Sequence, residues 1–384
     1  MRTAVDDGQP KAGRGVHVFL AGAFLTLVFC VPLTQAVVEL SRDERPHLLE
    51  LFAHLPSEEN LRVYEADLED LSCFAQVLRP RMQYVQFQIF RETGENGLLG
   101  LDGWLFYKPG VEYLTEPCSV AEPIGAIVGF REQLGALGME LVVLPIPGKA
   151  SVYPDRLSAR CDTGHYVNTH TRGLMKRLDA AGIACVDLQG VFARARARGG
   201  DGDLYLVRDT HWTPAGMQLA AQAVGAYVLR RGWVAKWKTA YDVVEVAVER
   251  PGDVLEMMRA PRIAGAFGPQ AVTCQQVVRH DTREPYQDAA NAAVLVLGDS
   301  FLRIYQEDAP GSAGFVAHLA RELSSAVTSI VNDGGASTLV RQELARRPAL
   351  LANKKLVIWE FVERDIRFGM EGWQHVALRP LAQR

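Results

Sequence analysis

Short apolar segments that alternate with helix-like segments constrain the fold of this 384-residue chain more than any other feature of its sequence. The apolar segments are rich in β-branched and aliphatic residues, as expected for strands that are buried on both faces. The predicted strands cover residues 139–147, 183–188, 292–297, 326–331 and 356–360, and the predicted helices cover residues 124–137, 169–181, 213–231, 315–323 and 338–346. This alternation predicts an α/β fold in which helices cover both faces of a parallel sheet.

Two regions depart from the alternation. Residues 39–95 are rich in Leu, Glu and Arg at helical spacing, and three prolines, the last of them Pro80, should divide them into a linker of short helices. Residues 233–290 interrupt the later pattern with tryptophan, proline and glycine, which predicts a partly β insertion. We therefore expect one α/β domain over residues 96–384 that carries this insertion.

The segment from residue 15 to residue 38 has no charged side chain and is mostly apolar. A helix of this length can cross the roughly 30 Å of hydrocarbon in a bilayer. Lys11 and Arg14 precede the segment, so the positive-inside rule keeps the tail at residues 1–14 in the cytoplasm and exports the remainder. A cleaved signal peptide is the alternative, but the apolar run is long for one and residues 34–36 form a poor cleavage site. We expect an uncleaved, single-pass signal anchor.

Charge and cysteine content narrow the remaining possibilities. A formal net charge of −4 without a basic tract argues against nucleic-acid binding. Cys30 lies within the apolar segment, so five cysteines would be exported and at least one would stay unpaired or pair between chains. Among the possible pairs we favour Cys73 with Cys274. None of the cysteines has the spacing of a metal site.

A motif at the end of one predicted strand supplies a candidate nucleophile. The strand at 292–297 runs directly into Gly298, Asp299 and Ser300. Parallel strands deliver catalytic side chains at their carboxyl ends, so Ser300 is placed where chemistry usually occurs. A turn that ends in a helix-capping serine is the structural alternative. The motif is not a Gly-x-Ser-x-Gly nucleophile elbow, because Leu302 occupies the second glycine position.

Asp209 and His211 supply the other two groups of a serine nucleophile system. Side chains two apart in an extended segment lie on the same side, so the carboxylate can hold the imidazole while its other nitrogen faces Ser300. An Asp-x-His pair alone is usually structural, but both motifs in one α/β chain favour catalysis. A metal site through His165, His170 and His211 matches no standard spacing, and we predict no metal.

Seven further side chains near these motifs are candidates for contacts with the substrate or with an oxyanion. They are Arg303, Tyr305, Trp212, Lys149, Tyr153, Asn332 and Arg364. Aromatic rings can stack on a sugar, cationic groups can attract an anionic one, and an amide can donate to an oxyanion. The structural alternatives are core packing, turn formation and surface salt bridges.

Five segments between residues 97 and 368 occur in an order that resembles a known family. They read Gly-Leu-Asp-Gly-Trp-Leu-Phe, Pro-x-Pro-Gly-Lys with a following Tyr-Pro, Asp-Thr-His-Trp, Gly-Asp-Ser-Phe and Trp-Glu-Phe-Val-Glu-Arg-Asp. The set resembles the periplasmic polysaccharide (alginate) O-acetyltransferases of the AlgJ/AlgX type. The resemblance implies an SGNH-hydrolase-like, flavodoxin-like sheet. The anchor resembles the AlgJ branch, and we expect no carbohydrate-binding module of the AlgX kind after the last strand.

The resemblance also implies roles and partners. Ser300 would be the nucleophile, His211 its base and Asp209 the residue that orients the base. No cofactor would be bound; a membrane-bound O-acyltransferase partner would deliver acetyl groups, which pass through an acetyl-serine to the hydroxyls of an exopolysaccharide in the periplasm. Two alternatives remain open, namely a carbohydrate acetylesterase with the same triad and a non-catalytic polysaccharide-binding subunit.

Overall fold

The computed structural model describes residues 14–52, 57–90, 92–94, 96–161, 168–199, 202–235, 239–258 and 261–378. Most of the predicted cytoplasmic tail, and His165, lie outside these ranges. The chain divides into two compact units, Met1–Ile89 and Phe90–Arg384. Each unit has its own helices, and the sheet belongs to the second.

The first unit begins with one long apolar helix. Its helices are α1 (Arg14–Ser41), α2 (Glu58–Leu71) and α3 (Cys73–Phe90), with a 3₁₀ turn at His47–Phe52. Within α1, Gly15–Ser41 has a mean hydropathy of 2.3 in its most apolar window, so this helix is long and apolar enough to cross a membrane. The hydroxyls of Thr26 and Thr34 donate to backbone carbonyls one turn earlier, which satisfies these polar groups within the helix.

Polar side chains secure the end of α1 within this unit. Gln35 is buried and accepts a hydrogen bond from the backbone N–H of Cys73 at 2.7 Å. Glu39 is also buried and accepts from the N–H of His47 at 2.8 Å. The predicted break at Pro80 is wrong, because α3 continues through that proline. A proline removes one backbone donor, while the turns on either side keep their hydrogen bonds.

The second unit contains all the strands that the structure describes. These are β1 (Gly97–Leu99), β2 (Leu105–Tyr107), β3 (Glu140–Ile146), β4 (Ala184–Cys185), β5 (Tyr241–Arg250), β6 (Gln270–Arg279), β7 (Val294–Gly298), β8 (Thr328–Val331) and β9 (Leu356–Val362). The helices are α4 (Lys108–Thr115), α5 (Ala121–Ala136), α6 (Lys149–Val152), α7 (Pro154–Leu157), α8 (Thr169–Ala180), α9 (Leu188–Ala197), α10 (Pro214–Arg231), α11 (Asp253–Met257), α12 (Pro261–Phe267), α13 (Ser300–Arg303), α14 (Phe315–Leu323), α15 (Leu339–Arg346) and α16 (Asp365–Phe368).

Five parallel strands form the central sheet in the order β4-β3-β9-β7-β8. The last strand in the chain, β9, lies in the middle and pairs with β3 on one side and β7 on the other. The carboxyl ends of β7 and β9 therefore meet at the same edge of the sheet. This arrangement confirms the predicted α/β fold with a central parallel sheet.

Side chains of the central strands alternate between two hydrophobic cores. On β9, Leu356 and Ile358 enter the first core, whereas Val357 and Trp359 enter the second. Helices α9, α10 and α14 supply the first core, and α5, α8 and α15 supply the second. Burial on both faces explains why these strands are continuous apolar runs in the sequence.

The predicted insertion contains an antiparallel ribbon that is separate from the central sheet. Strands β5 and β6 pair along their whole length, and α11 and α12 lie between them. Buried residues of β6, including Cys274 and Val277, pack into the first core. The ribbon is therefore anchored to the α/β body by buried side chains of β6.

All six cysteines are free thiols in the structure. The predicted pairing of Cys73 with Cys274 is therefore wrong. Cys274 is fully buried in the first core, where it packs as a small apolar side chain, and burial raises the pKa of its thiol to about 11.

Gly298, at the end of β7, is in close contact with two side chains. A Cβ atom at this position would lie 2.1 Å from Glu360 Oε2 and 2.6 Å from Leu302 Cδ1. Both neighbours are fully buried and have little room to move. The turn before Ser300 therefore requires glycine for close packing.

We predict that Gly298→Ala lowers the free energy of unfolding by about 1–3 kcal/mol, since overpacking of a buried site has this cost. Thermal and urea unfolding of the full-length protein in detergent measure the change. Gly125→Ala is the matched control, because Gly125 lies in α5 with no atom within 4 Å of an added Cβ. The control should gain up to about 1 kcal/mol from helix propensity. Equal stability of the two variants would contradict the packing argument.

Candidate active site

The turn after β7 places Ser300 at the first position of α13. Asp299 caps this helix by accepting from the N–H of Phe301 at 2.9 Å. Its other carboxylate oxygen accepts from the N–H of Val362 at 3.3 Å, and its own N–H donates to Glu360 Oε2 at 2.9 Å. Asp299 therefore ties the turn to the carboxyl end of β9, while Ser300 remains half-buried and reachable.

A closed loop before α10 carries Asp209 and His211. The N–H of Leu206 donates to the carbonyl of His211 at 3.0 Å, and the N–H of Thr213 donates to the carbonyl of Leu204 at 2.9 Å. Thr213 also caps α10 through its hydroxyl. These bonds fold the segment back on itself, so both side chains project from a fixed frame.

The structure brings the three predicted side chains together. His211 Nδ1 lies 2.6 Å from Asp209 Oδ1, and His211 Nε2 lies 2.8 Å from Ser300 Oγ. The backbone N–H of His211 also donates to Asp209 Oδ1 at 3.0 Å. Asp209 and His211 are buried, with 1% and 4% of their surfaces exposed. This is the geometry of a base that faces a hydroxyl and is oriented by a carboxylate.

The two charged partners shift each other's pKa in opposite directions. Burial alone lowers the pKa of His211, but the charges and hydrogen bonds of Asp209 and Asp253 raise it to about 10. Burial alone raises the pKa of Asp209, but the His211 charge and hydrogen bonds, together with Arg250, bring it well below its ordinary value. The imidazole is therefore a stronger base than an isolated histidine.

The inserted ribbon contributes groups that the sequence patterns did not indicate. Asp253 Oδ2 lies 3.3 Å from His211 Nδ1, and Arg250 Nη2 lies 3.7 Å from Asp209 Oδ2. Thr210 donates its backbone N–H to Asp253 Oδ1 at 2.7 Å and its hydroxyl to Oδ2. The Pro-Gly-Asp turn before α11 was the one sequence signal that could have indicated Asp253. No local pattern connects this turn to His211, which lies 42 positions earlier in the chain.

Asp209, His211 and Asp253 also bring one potential metal-ligand atom each within 4.8 Å of one another. These atoms already form hydrogen bonds. His211 Nδ1 contacts Asp209, and the Asp253 carboxylate accepts from Thr210. The arrangement is therefore that of an imidazole oriented by two carboxylates.

Lys149 and Tyr153 do not reach the site as substrate ligands, which corrects their predicted role. The Lys149 ammonium is buried and donates to the carbonyls of Leu105, Val207 and Asp209 at 2.6, 2.7 and 3.1 Å. Burial lowers the pKa of Lys149 to about 7. Lys149 therefore holds the main chain of the loop that carries Asp209.

The remaining aromatic candidates fill the core. Tyr153 is 3% exposed, and its hydroxyl accepts from the N–H of Leu204 at 2.7 Å. Trp212 and Tyr305 are fully buried, and the Tyr305 hydroxyl donates to the carbonyl of Trp212 at 3.2 Å. The predicted stacking of these rings on a sugar is corrected, because both rings are buried inside the protein, where Trp212 stacks on Phe315 and contacts Phe301 edge-on.

A cleft of about 870 Å³ opens above Ser300 and His211. Its walls come from the end of β5 and α11, from the loop after β8, and from residues 364–370. Three exposed apolar side chains, Met257, Phe368 and Met370, lie on these walls. The cleft is large enough for a sugar residue and offers both polar and apolar surfaces.

Both predicted arginines line this cleft, but only one of them is ion-paired. Arg303 is ion-paired, with Nε 2.8 Å from Asp333 Oδ2 and Nη1 bonded to Asp308. The Arg364 guanidinium lies over the Tyr107 ring at 5.1 Å and forms no ion pair or hydrogen bond within the described part of the chain. Arg364 is therefore the cation most available to a ligand.

Backbone donors lie on the same walls. The N–H of Ser300 and that of Gly334 have no hydrogen-bond partner among the residues that the structure describes. Asn332, predicted as an oxyanion donor, lies just before the cleft-lining pair Asp333 and Gly334, and its backbone N–H donates to the carbonyl of Gly298 at 2.9 Å. The Ser300 N–H is the donor nearest to the Ser300 hydroxyl, because both groups belong to the same residue.

The chain is similar in sequence to proteins of a known family. The family model described as "SGNH hydrolase-like domain, acetyltransferase AlgX" matches residues 98–363. Among curated relatives, the probable alginate O-acetylase AlgJ of Pseudomonas putida is 27% identical over 293 residues, which cover 73% of this chain and 72% of that protein. The AlgJ of Azotobacter vinelandii is 25% identical over 297 residues, with 73% and 72% coverage.

Solved structures show a similar fold. The O-acetyltransferase domain of Pseudomonas putida AlgJ superposes with a TM-score of 0.58 at 24% identity, covering 71% of this chain and 92% of that one. Pseudomonas aeruginosa AlgX gives a TM-score of 0.54 at 21% identity, covering 69% of this chain and 61% of that one. At these identities the structures support the fold rather than the activity.

The raised pKa of His211 predicts how stability changes with pH. The protonated imidazole is stabilised only in the folded state, so its contribution is complete below the ordinary pKa of 6.5 and is lost as pH rises through about 10. The free energy of unfolding of the wild type should therefore fall more steeply between these pH values than that of His211→Gln.

Urea unfolding at a series of pH values measures this slope. His318→Gln is the control, since burial lowers the pKa of His318 to about 4, outside the window. The control should keep the wild-type slope. Parallel curves for the wild type and His211→Gln would show that the Asp209–His211 pair does not stabilise the protonated ring.

Proposed function

Because this chain belongs to the family of SGNH hydrolase-like, AlgX-type acetyltransferase domains, we propose that it moves acetyl groups through an acetyl-serine at Ser300 onto hydroxyls of an exopolysaccharide. The observation that carries the proposal is the 2.8 Å contact between His211 Nε2 and Ser300 Oγ at the floor of an open cleft. A base at hydrogen-bond distance is what a serine hydroxyl requires to act as a nucleophile.

In the first half of the reaction, Ser300 Oγ attacks the carbonyl carbon of the acetyl donor while His211 Nε2 takes the hydroxyl proton. Asp209 stabilises the imidazolium that forms, and the Ser300 N–H donates to the oxyanion. The tetrahedral intermediate then expels the leaving group of the donor, which receives the proton from His211. The product is an acetyl ester on Ser300.

In the second half, a sugar hydroxyl occupies the space that the leaving group has left. His211 Nε2 takes the proton of this hydroxyl as its oxygen attacks the acetyl carbonyl. Collapse of the intermediate breaks the ester bond to Ser300, whose oxygen recovers the proton from His211. The acetyl group is then on the acceptor, and the free enzyme is restored.

Water is the competing acceptor, and its use would make the protein an acetylesterase. The apolar side chains of Met257, Phe368 and Met370 on the cleft walls favour transfer, because they can pack on the carbon face of a sugar and displace water. A polysaccharide-binding subunit without activity would not need an aligned base and hydroxyl.

The names of the relatives suggest an alginate-like acceptor, that is, a polymer of uronic acids. We propose that Arg364 binds an acceptor carboxylate, because Arg250 and Arg303 are already paired with Asp308. Of the cationic candidates Lys149, Arg303 and Arg364, only Arg364 is thus left to bind an acceptor carboxylate.

We also propose that α1 anchors the protein in a bacterial inner membrane with the second unit in the periplasm. The acetyl donor would then be supplied by a membrane-bound O-acyltransferase partner, because acetyl donors are made in the cytoplasm. The proposal requires no cofactor to remain bound to this chain.

The triad is tested by incubating the full-length protein with p-nitrophenyl acetate and oligomannuronate. Ser300→Ala and His211→Ala should each lower the transfer rate by roughly 10³-fold or more, and the double variant should be no worse than the singles. Intact-mass spectrometry should find one added acetyl group on the wild type and none on Ser300→Ala.

Product analysis separates the candidate functions. Acetylated oligosaccharide indicates a transferase, and free acetate alone indicates an esterase. If Ser300→Ala retained wild-type acetylation of the polymer in cells, the protein would be a non-catalytic polysaccharide-binding subunit and the proposal would fail.

The acceptor contact is tested with Arg364→Gln. The KM for oligomannuronate should rise roughly tenfold or more, because an ion pair between Arg and a carboxylate is lost, whereas the KM for an uncharged mannan oligomer should stay the same. Arg172→Gln, an exposed position on α8, is the matched control. Equal effects on both acceptors would exclude carboxylate recognition by Arg364.

A further inference from the structure

A second carboxylate lies beside the imidazole of the base. Asp253 Oδ2 is 3.3 Å from His211 Nδ1, the same ring nitrogen that is 2.6 Å from Asp209 Oδ1. The single N–H at that position therefore lies beside two carboxylates, and the Thr210 hydroxyl oxygen is also 3.3 Å from the same nitrogen. Acetyl transfer by a triad needs only one carboxylate, so the second requires its own explanation.

Asp253 is held in place by the residue between the other two. Its Oδ1 accepts from the backbone N–H of Thr210 at 2.7 Å, and its Oδ2 accepts from the Thr210 hydroxyl. Its own N–H donates to Asp209 Oδ2 at 3.3 Å. Asp209, Thr210, His211 and Asp253 thus form a closed set of contacts around the ring.

The inserted ribbon, rather than the central sheet, delivers this carboxylate. Strand β5 ends at Arg250, and Gly252 has a φ of 97°, with the carbonyl oxygen of Arg208 only 2.6 Å from where a Cβ would lie. Glycine lets the chain turn tightly against the loop of the base. Asp253 then opens α11 with 19% of its side chain exposed, compared with 2% for Asp209.

From this geometry we infer that Asp253 is a positioning residue for the base. It holds the imidazole of His211 in the orientation that faces Ser300, and it places a second negative charge beside the imidazolium that forms during acetyl transfer. The inference rests on the proposed function of Ser300 and His211, and it makes the ribbon part of the active site.

The charges around His211 come from several elements. Asp209 is on its own loop, Asp253 and Glu256 are on α11, and Arg250 is at the end of β5. The remaining groups are Asp299 beside α13, Asp308 on the following loop, Lys149 beneath the loop of the base, and Arg364 and Asp365 after β9. Asp209 and Asp253 contact the ring itself, so removal of Asp253 should alter its titration directly.

The test is the pH dependence of acylation by p-nitrophenyl acetate, measured on the full-length protein. Because His211 must be neutral to accept a proton, the rate should rise with pH through the pKa of its imidazole. Asp253→Asn should lower the midpoint of this rise by about one pH unit or more and reduce the high-pH rate roughly ten- to hundredfold. Asp253→Glu, which keeps the charge, should restore the midpoint.

Glu256→Gln is the matched control, because it removes the same charge from the same helix and the same cleft without contact to the ring. It should keep the wild-type midpoint. A folded Asp253→Asn protein with the midpoint and rate of Glu256→Gln would overturn the inference. If Asp253→Asn does not fold, Asp253→Ser, whose hydroxyl can still accept from Thr210, should show the same lowered midpoint.

Failure of the inference can be separated from failure of the proposed function. Loss of acylation in Ser300→Ala supports the triad, whatever Asp253→Asn shows. If Ser300→Ala were still acylated at the wild-type rate, NMR titration of ¹⁵N-labelled histidine, assigned with His211→Gln, would test Asp253 alone. A lower titration midpoint of His211 in Asp253→Asn would support the positioning role, and an unchanged midpoint would refute it.

Discussion

The buried hydrogen bonds between the ends of β7 and β9 fix the position of Ser300. Asp299 is the central group, since its carboxylate accepts from Phe301 and Val362 and its N–H donates to Glu360. Burial, together with the nearby Asp299, raises the pKa of Glu360 well above its ordinary value. Breaking any of these contacts would leave a polar group buried without a partner, so the turn has one stable conformation. Ser300 thereby takes its position from a buried, hydrogen-bonded part of the fold.

The loop of His211, the proposed base, is held by a different kind of interaction. Beneath its loop, the Lys149 ammonium binds three backbone carbonyls instead of a carboxylate, which fixes the main chain at Val207 and Asp209 without neutralising Asp209. The ribbon approaches the same loop from the other side through Arg250 and Asp253. Ser300 and the loop of His211 are thus supported by separate sets of contacts, and the cleft lies where the two meet.

Much of this arrangement could be predicted because it is encoded locally. The apolar runs of β3, β7 and β9 and the helices between them follow periodicity, and the Gly-Asp-Ser and Asp-Thr-His motifs each lie next to such an element. Asp253 was missed because its partners are distant in the chain and no pattern links them. Lys149, Trp212 and Tyr305 were misjudged for another reason. A cationic or aromatic residue beside a motif has the same sequence signature whether it turns toward a ligand or into the core.

The sheet order has a consequence for how the molecule is made. The central position between β3 and β7 belongs to β9, which follows both of them in the chain. Until β9 has been synthesised, β3 and β7 lack the neighbour that both of them share, and Asp299 lacks Glu360 and Val362. The turn that carries Ser300 therefore reaches its final geometry only after its contacts 61 and 63 positions later in the chain have emerged from the ribosome.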